Sequence, residues 1–234
     1  MSINVLGSGQ LAKAFSDLEE KGLFVFASGV SNSTCTDPDE FKRESDLLLN
    51  ALRTNSKRKF VYFSSCALSA KDYELNSYYK HKLYMERLVQ ENSSAYYIFR
   101  LPQLFGDLIL HQTLINYIYK SIVKGELFSV FDEAHRYVIE ISDVRLLVDA
   151  YLKHHESGII VDIANPFRYK ILDIVKAFER LLNKKANYQL IEKNDQYTLN
   201  LSPMLSFMEQ YNIETEFGPD YLIQKLSQRI IRVK

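Results

Sequence analysis

A short apolar strand that runs straight into glycines near the start of the chain limits the fold more than any other segment. Ile3-Asn4-Val5-Leu6 leads into Gly7-Ser8-Gly9-Gln10-Leu11-Ala12, and helical spacing follows to about Glu20, with Leu11, Ala14, Phe15 and Leu18 on its inner face. Strand, glycine turn and helix in that order fit the pattern G-x-G-x-x-G/A. Gly7 suits a tight turn and Gly9 leaves room for the backbone to approach a pyrophosphate. Ala12 permits close helix–strand packing, and the helix start at Gln10 and Leu11 faces the anion.

A second constellation carries acid/base chemistry. Phe60-Val61-Tyr62-Phe63 is an apolar strand ending in Ser64-Ser65, and Tyr78-Tyr79-Lys80-His81-Lys82 follows downstream. Tyr78 and Lys82 are four residues apart and share one helix face. An ammonium held beside the phenol is expected to lower the Tyr78 pKa from its ordinary value of about 10. Such a phenol exchanges protons with a carbonyl or alcohol. Ser65 would orient the same substrate oxygen, with Ser64 as the neighbouring alternative. The chain has 16 tyrosines, so the pair gains its weight from the segments around it.

Further along, Tyr97-Ile98-Phe99 is continuously apolar, as a strand buried on both faces is. Helical spacing spans 110–124 before Gly125, then 171–183, and again about 221–232. One helix is expected over about 39–54, with Leu47, Leu48, Leu49, Ala51 and Leu52.

In this order, the chain resembles the extended short-chain dehydrogenase/reductase family, the epimerases, dehydratases and ketoreductases of nucleotide sugars. The residues that carry the resemblance are Gly7 to Ala12, Phe60 to Ser65, Tyr78 to Lys82 with Glu86, Phe99-Arg100-Leu101-Pro102-Gln103-Leu104-Phe105-Gly106, Arg136 to Val144, and Val161 to Asn165. The resemblance implies an α/β fold: a Rossmann-like parallel sheet with helices on both faces, plus a small C-terminal substrate cap. It implies that Tyr78 is the acid/base, that Lys82 binds the nicotinamide ribose, and that Ser65 polarises the substrate. Leu101 and Pro102 would touch the nicotinamide. Gln103 and Arg136 would face the substrate, Arg136 near its diphosphate. Asp143 would cap a helix. It further implies NAD or NADP as cofactor and a nucleotide-activated sugar as substrate, in surface-polysaccharide biosynthesis. Dimers of such proteins form through two helices, here those around 40–54 and 76–91.

The chain also departs from that pattern. Leu23-Phe24-Val25-Phe26-Ala27-Ser28-Gly29 follows the first helix at once. It reads either as the second strand without its acidic residue or, preferably, as a later strand whose end, Ala27, Ser28 and Gly29, lines the cofactor. The preferred reading deletes the adenosine-binding wing, so that one sheet wing is shortened. Reduction and epimerisation share the same triad and stay open, as does a non-catalytic nucleotide- or ligand-sensing module on the same scaffold.

Composition removes other classes. The 234 residues suffice for one domain over 1–164, with 104–140 contributing to the substrate side, and a cap over 165–234. With 29 basic and 29 acidic residues there is no electrostatic footprint for nucleic acid. Cys35 and Cys66 form no disulfide or metal spacing, the five histidines are scattered, and no metal is expected. The absence of a long apolar run or leader points to a cytoplasmic protein without a membrane segment.

Overall fold

In the structure, a computed structural model describing residues 4–18, 22–71, 73–110 and 113–231, four strands lie side by side in chain order. They are β1 (Val5–Leu6), β2 (Leu23–Phe26), β3 (Lys59–Ser65) and β4 (Tyr96–Leu101), each parallel to the last. The short strand β5 (Gln103–Phe105) and the long β6 (Phe128–Glu140) turn away into a second sheet, and β7 (Ile159–Asp162) completes the first beyond β4. The smaller sheet adds β8 (Arg168–Lys170) and β9 (Tyr188–Asp195), both paired to β6.

Strand order decides between the two readings of 23–29. A second strand of the first unit would leave β1 between itself and β3. Instead β2 lies between β1 and β3, so it is the later strand. Among the described residues no strand lies outside β1, and the shortened wing is therefore real in the fold. Among the described residues the order does not reverse across this sheet.

Helices cover both faces. α1 (Gln10–Ala14) follows the glycine turn, α2 (Pro38–Thr54) joins β2 to β3, and α3 (Ser77–Asn92) joins β3 to β4. The Asp37 side chain accepts the Asp39 N–H at the start of α2, and Pro38 occupies the first turn. Leu48, Leu52, Met85 and Val89 then pack on Phe24, Phe26, Phe60, Tyr62 and Ile98. α1 is shorter than its periodicity predicts. It ends at Ala14, where the backbone tightens into i→i−3 turns, Ser16 N–H to Lys13 O at 3.3 Å and Leu18 N–H to Phe15 O at 3.1 Å; the expected end at Glu20 lies outside the described residues.

Beyond these, α4 (Leu114–Lys124) stops at Gly125 in a left-handed conformation, φ 74°. α5 (Ile141–His154) and α6 (Ile171–Leu182) follow, then α7 (Ser202–Gln210) and α8 (Tyr221–Ile231). Val144, Leu147, Val148 and Tyr151 of α5, with Met204 and Phe207 of α7, cover the opposite face of the main sheet over Val25, Val61, Phe63 and Phe99. Tyr151 and Phe207 stack with centroids 3.8 Å apart. A separate cluster joins α4, α6 and α8 to the smaller sheet through Ile118, Ile122, Phe128, Val130, Ile174, Phe178 and Leu226. Asp143, read as a cap, is instead a buried acceptor for the Tyr221 hydroxyl at 2.6 Å, and the cap of α5 is Glu140.

The pleat of β3 sets the site. Phe60 and Tyr62 face α2 and α3, and Val61 and Phe63 face the other side. Continuing that alternation, Ser64 falls on the α3 side and Ser65 on the opposite one.

Candidate active site

Gly7 sits at φ 141°, where only glycine is unstrained. A Cβ there would lie 2.3 Å from the Ala27 carbonyl oxygen and 3.1 Å from Ala12 Cβ. Ala27 in turn donates its N–H to Leu6 O at 2.8 Å, so the turn is clamped between β1 and β2. Gly9 meets nothing within 4 Å of an added Cβ, so its approach stays open. Gln10 and Leu11 are half-buried, and Gln10 Oε1 is enclosed without a hydrogen-bond partner next to Gly106. These residues fit the pyrophosphate end of a dinucleotide. The adenosine end finds no strand beyond β1 among the described residues.

At the far end of β3, three elements meet in a buried polar cluster. Glu44 of α2, 1% exposed, accepts from Lys82 Nζ at 2.8 Å on Oε1 and from the Val30 N–H at 2.9 Å on Oε2. His81 Nε2 lies 3.1 Å from the same Oε2. Lys82 is also within 3.5 Å of the Tyr62 hydroxyl. A Cβ on Gly29 would come within 2.6 Å of Glu44 Oε1 and 3.0 Å of Lys82 Nζ, so this glycine lies directly over the ion pair.

The electrostatics reverse one expectation. Burial pushes the Glu44 carboxyl up, but Lys82, His81 and the Val30 amide together hold it down at about 2. Burial pulls the Lys82 ammonium down, but Tyr62 and Glu44 more than offset this and raise it. Lys82 does not lower Tyr78. Burial first, then the Glu44 charge and Tyr79, raise the Tyr78 phenol above its ordinary value. The lysine lies 5.6 Å from the Tyr78 ring centroid, with its hydrogen bonds directed to Glu44 and Tyr62. Tyr78 is therefore a protonated phenol at neutral pH.

The strand-end residues divide by role. Ser64 is buried, and its Oγ is enclosed without a hydrogen-bond partner. Ser65 is half-buried and its Oγ accepts the Ala67 N–H at 3.4 Å, capping a turn over Cys66–Ser69. Ser65 lies opposite Leu101 in the sheet register, which brings Leu101 and Pro102 to the same strand end. Cys66 is buried, donates to Arg100 O at 3.1 Å, and burial pushes its thiol well up, as befits a packed side chain. Ala27 and Ser28 are half-buried beside the glycine turn.

On the cap side, Gln103 begins β5 and pairs in register with Val138. Arg136 is already engaged. Its guanidinium donates to Asp195 Oδ2 at 2.6 Å and to the Asp195 carbonyl at 2.8 Å, while Tyr73 OH donates to Asp195 Oδ1 at 3.0 Å. Burial pushes the Asp195 carboxyl up, but Arg136 holds it below the usual range. Tyrosine rings link this pair to Tyr78: Tyr78 against Tyr79 at 5.2 Å, Tyr79 against Tyr73 at 5.7 Å, and Tyr73 against Tyr197 at 5.1 Å. Among the described residues no group of three His, Cys, Asp or Glu side chains is arranged to hold a metal ion, and no helix is long and apolar enough to cross a membrane.

Sequence reasoning missed Glu44, Tyr62 and Asp195. A signal for Glu44 existed: Glu44, Leu48 and Leu52 recur every four residues, which puts a carboxylate on the inward stripe of α2. Nothing local marks Asp195, which reaches Arg136 only through the pairing of β6 with β9.

Comparison with known structures agrees with this fold. A UDP-glucuronic acid 4-epimerase from Bacillus cereus, solved with UDP-glucuronic acid and NAD, superposes with a TM-score of 0.71 at 15% identity, over 96% of this chain and 79% of that one. The UDP-glucose 4-epimerase of Thermus thermophilus, solved with NAD, gives 0.70 at 15% identity over 94% and 81%. A dTDP-glucose 4,6-dehydratase from Bacillus anthracis, also with NAD, gives 0.70 at 13% over 90% and 73%. Comparison with curated proteins finds no match. A family model matches residues 1–165, and the chain thus belongs to the NAD dependent epimerase/dehydratase family.

Proposed function

We propose that this protein is an NAD(P)-dependent reductase or epimerase acting on a nucleotide-activated sugar, with Tyr78 as its acid/base. The observation that carries the reading is Lys82 held 5.6 Å from the Tyr78 ring centroid and within 3.5 Å of the Tyr62 hydroxyl of β3, together with a glycine turn that fits a pyrophosphate. The cofactor, when bound, supplies and accepts hydride. The chain's own residues handle the proton. A protonated Tyr78 donates its hydroxyl proton to a carbonyl oxygen as that oxygen gains negative charge, and takes a proton back from an alcohol in the reverse direction. Ser65, or as its alternative Ser64, whose Oγ is enclosed and unpartnered on the α3 side, offers a hydrogen bond to the same oxygen. Gly7, Gly9, Gln10, Leu11, Ala27, Ser28 and Gly29 flank the dinucleotide, and Leu101 and Pro102 its nicotinamide end. Gln103 and Arg136 meet the substrate. The solved relatives with UDP-sugars support that substrate class. A cytoplasmic homodimer working in polysaccharide biosynthesis belongs to the same reading, with the outer faces of α2 and α3 as its contact.

A second reading, a nucleotide or ligand sensor without turnover, is favoured by one observation: among the described residues β1 is an edge strand, so the adenosine half of the usual site has no wing there to rest on. Fluorescence titration with NADH and NADPH tests both. Saturable binding supports the enzyme; no binding at millimolar cofactor supports the sensor.

A further inference from the structure

Glu44 comes from neither the glycine turn nor the Ser/Tyr/Lys set, yet it joins Lys82, His81 and the Val30 amide. Its two oxygens divide the work. Oε1 takes the Lys82 ammonium at 2.8 Å, and Oε2 takes the Val30 amide at 2.9 Å and faces His81 Nε2 at 3.1 Å. Glu44 and Lys82 are both buried. A lysine this buried without a counter-charge becomes a neutral amine, its pKa falling by several units. A carboxylate this buried without a cation becomes a neutral acid. Each therefore exists as an ion because of the other.

The donor count shows what this leaves for a ligand. An ammonium has three N–H donors. One goes to Glu44 and one lies toward the Tyr62 hydroxyl at 3.5 Å. A single donor remains, on an ammonium 5.6 Å from the Tyr78 ring centroid. Other groups facing the pair are few. They are His81, Tyr78 and Tyr62 from α3 and β3, the Val30 N–H from the loop after β2, and Arg43 on the same helix.

We propose that Glu44 is a positioning residue for this site: it keeps Lys82 charged and aimed with one donor free, and through Val30 it ties that charge to the 27–30 loop. The proposal rests on the reading of Tyr78 and Lys82 as the working pair. It adds a residue on a third element, and makes the α2–α3 contact part of the site. Gly29 is then fixed as glycine by the ion pair beneath it, where an added Cβ would meet Glu44 Oε1 at 2.6 Å.

The test follows the Lys82 titration directly, without substrate. Protein carrying 13Cε-labelled lysine is titrated by NMR as wild type, Glu44→Gln and Glu44→Asp, with Lys82→Met identifying the resonance. In the wild type Lys82 stays an ammonium through about pH 10. Glu44→Gln brings its midpoint down by ~2 pH units or more, and Glu44→Asp, which keeps a carboxylate, by less than ~1 unit. An unchanged midpoint in Glu44→Gln, even with a lower melting temperature, overturns the proposal and leaves Glu44 a packing residue. Should Glu44→Gln not fold, Glu44→Met, which also lacks the carboxylate, decides: a midpoint lowered by ~2 pH units or more supports the proposal and an unchanged one overturns it. NADH titration of the same samples separates the two questions. If Lys82 shifts but no sample, wild type included, binds NADH, Glu44 keeps its role and the enzyme reading fails.

Discussion

The Gly7 Cα and the Ala27 carbonyl are so close that a single added methyl would sit 2.3 Å from the oxygen. This contact joins β1 to β2 at the point where the chain turns toward α1. The backbone at Gly7 also has φ 141°. Gly7→Ala is expected to combine a steric clash with left-handed strain and destabilise the fold by about 2 kcal/mol or more. Thermal unfolding should show a Tm lower by ~4–8 °C, with loss of NADH binding. A variant as stable as the wild type would contradict the tightness of this turn.

Tyr78→Phe removes the proton donor and leaves the ring packed against Tyr79. Turnover should fall by ~10²–10⁴-fold, while the NADH dissociation constant stays within about threefold. Because burial and Glu44 raise the phenol, the basic limb of the wild-type pH profile should lie above about pH 10. Turnover retained in Tyr78→Phe would remove Tyr78 from the mechanism.

Glu44 makes acid stability measurable in one residue. Its carboxyl titrates at about 2 in the folded protein against 4.5 for the ordinary group. Its stabilisation is therefore fully present above the ordinary value and lost as pH falls toward the folded one. The loss amounts to about 3 kcal/mol. Urea unfolding at about pH 5 and about pH 2.5 should show a larger drop for wild type than for Glu44→Gln, which lacks the titrating group. Equal drops would mean that the pair contributes no pH-dependent stability.

Arg136 and Asp195 set up a competition. A guanidinium recognises a carboxylate or a phosphate with the same fork, and here Asp195 already fills it at 2.6 Å. Asp195→Asn keeps the shape and removes the charge. UDP should then bind ~threefold or more tightly by calorimetry, and Arg136→Leu should abolish the gain. Unchanged UDP affinity in Asp195→Asn would place the diphosphate elsewhere.

How much was legible in the chain varies with distance along it. The helix over about 39–54 appears at Pro38–Thr54, and that over 171–183 at Ile171–Leu182, because amphipathic spacing and caps are local. Other elements escaped. β9 is mostly exposed and polar, with no clear alternation. α7 is only nine residues long, its Met204, Phe207 and Met208 a stripe too short to stand out. α1 was read too long because periodicity alone does not see that the backbone past Ala14 tightens into i→i−3 turns, Ser16 N–H to Lys13 O and Leu18 N–H to Phe15 O.

The sequence by itself determined the strand–glycine–helix start, the serine strand end and the four-residue spacing of Tyr78 and Lys82. Each depends on neighbours a few residues apart, where backbone geometry and side-chain periodicity act directly. The tertiary structure decided what those residues experience. Lys82 meets Glu44 across 38 residues and Arg136 meets Asp195 across 59. Both contacts depend on helix packing and strand register. Charge and burial at a site are sums over everything folded around it, and so Tyr78, which the chain alone presents beside a cation, is raised by burial and by the carboxylate that the fold brings up behind that cation.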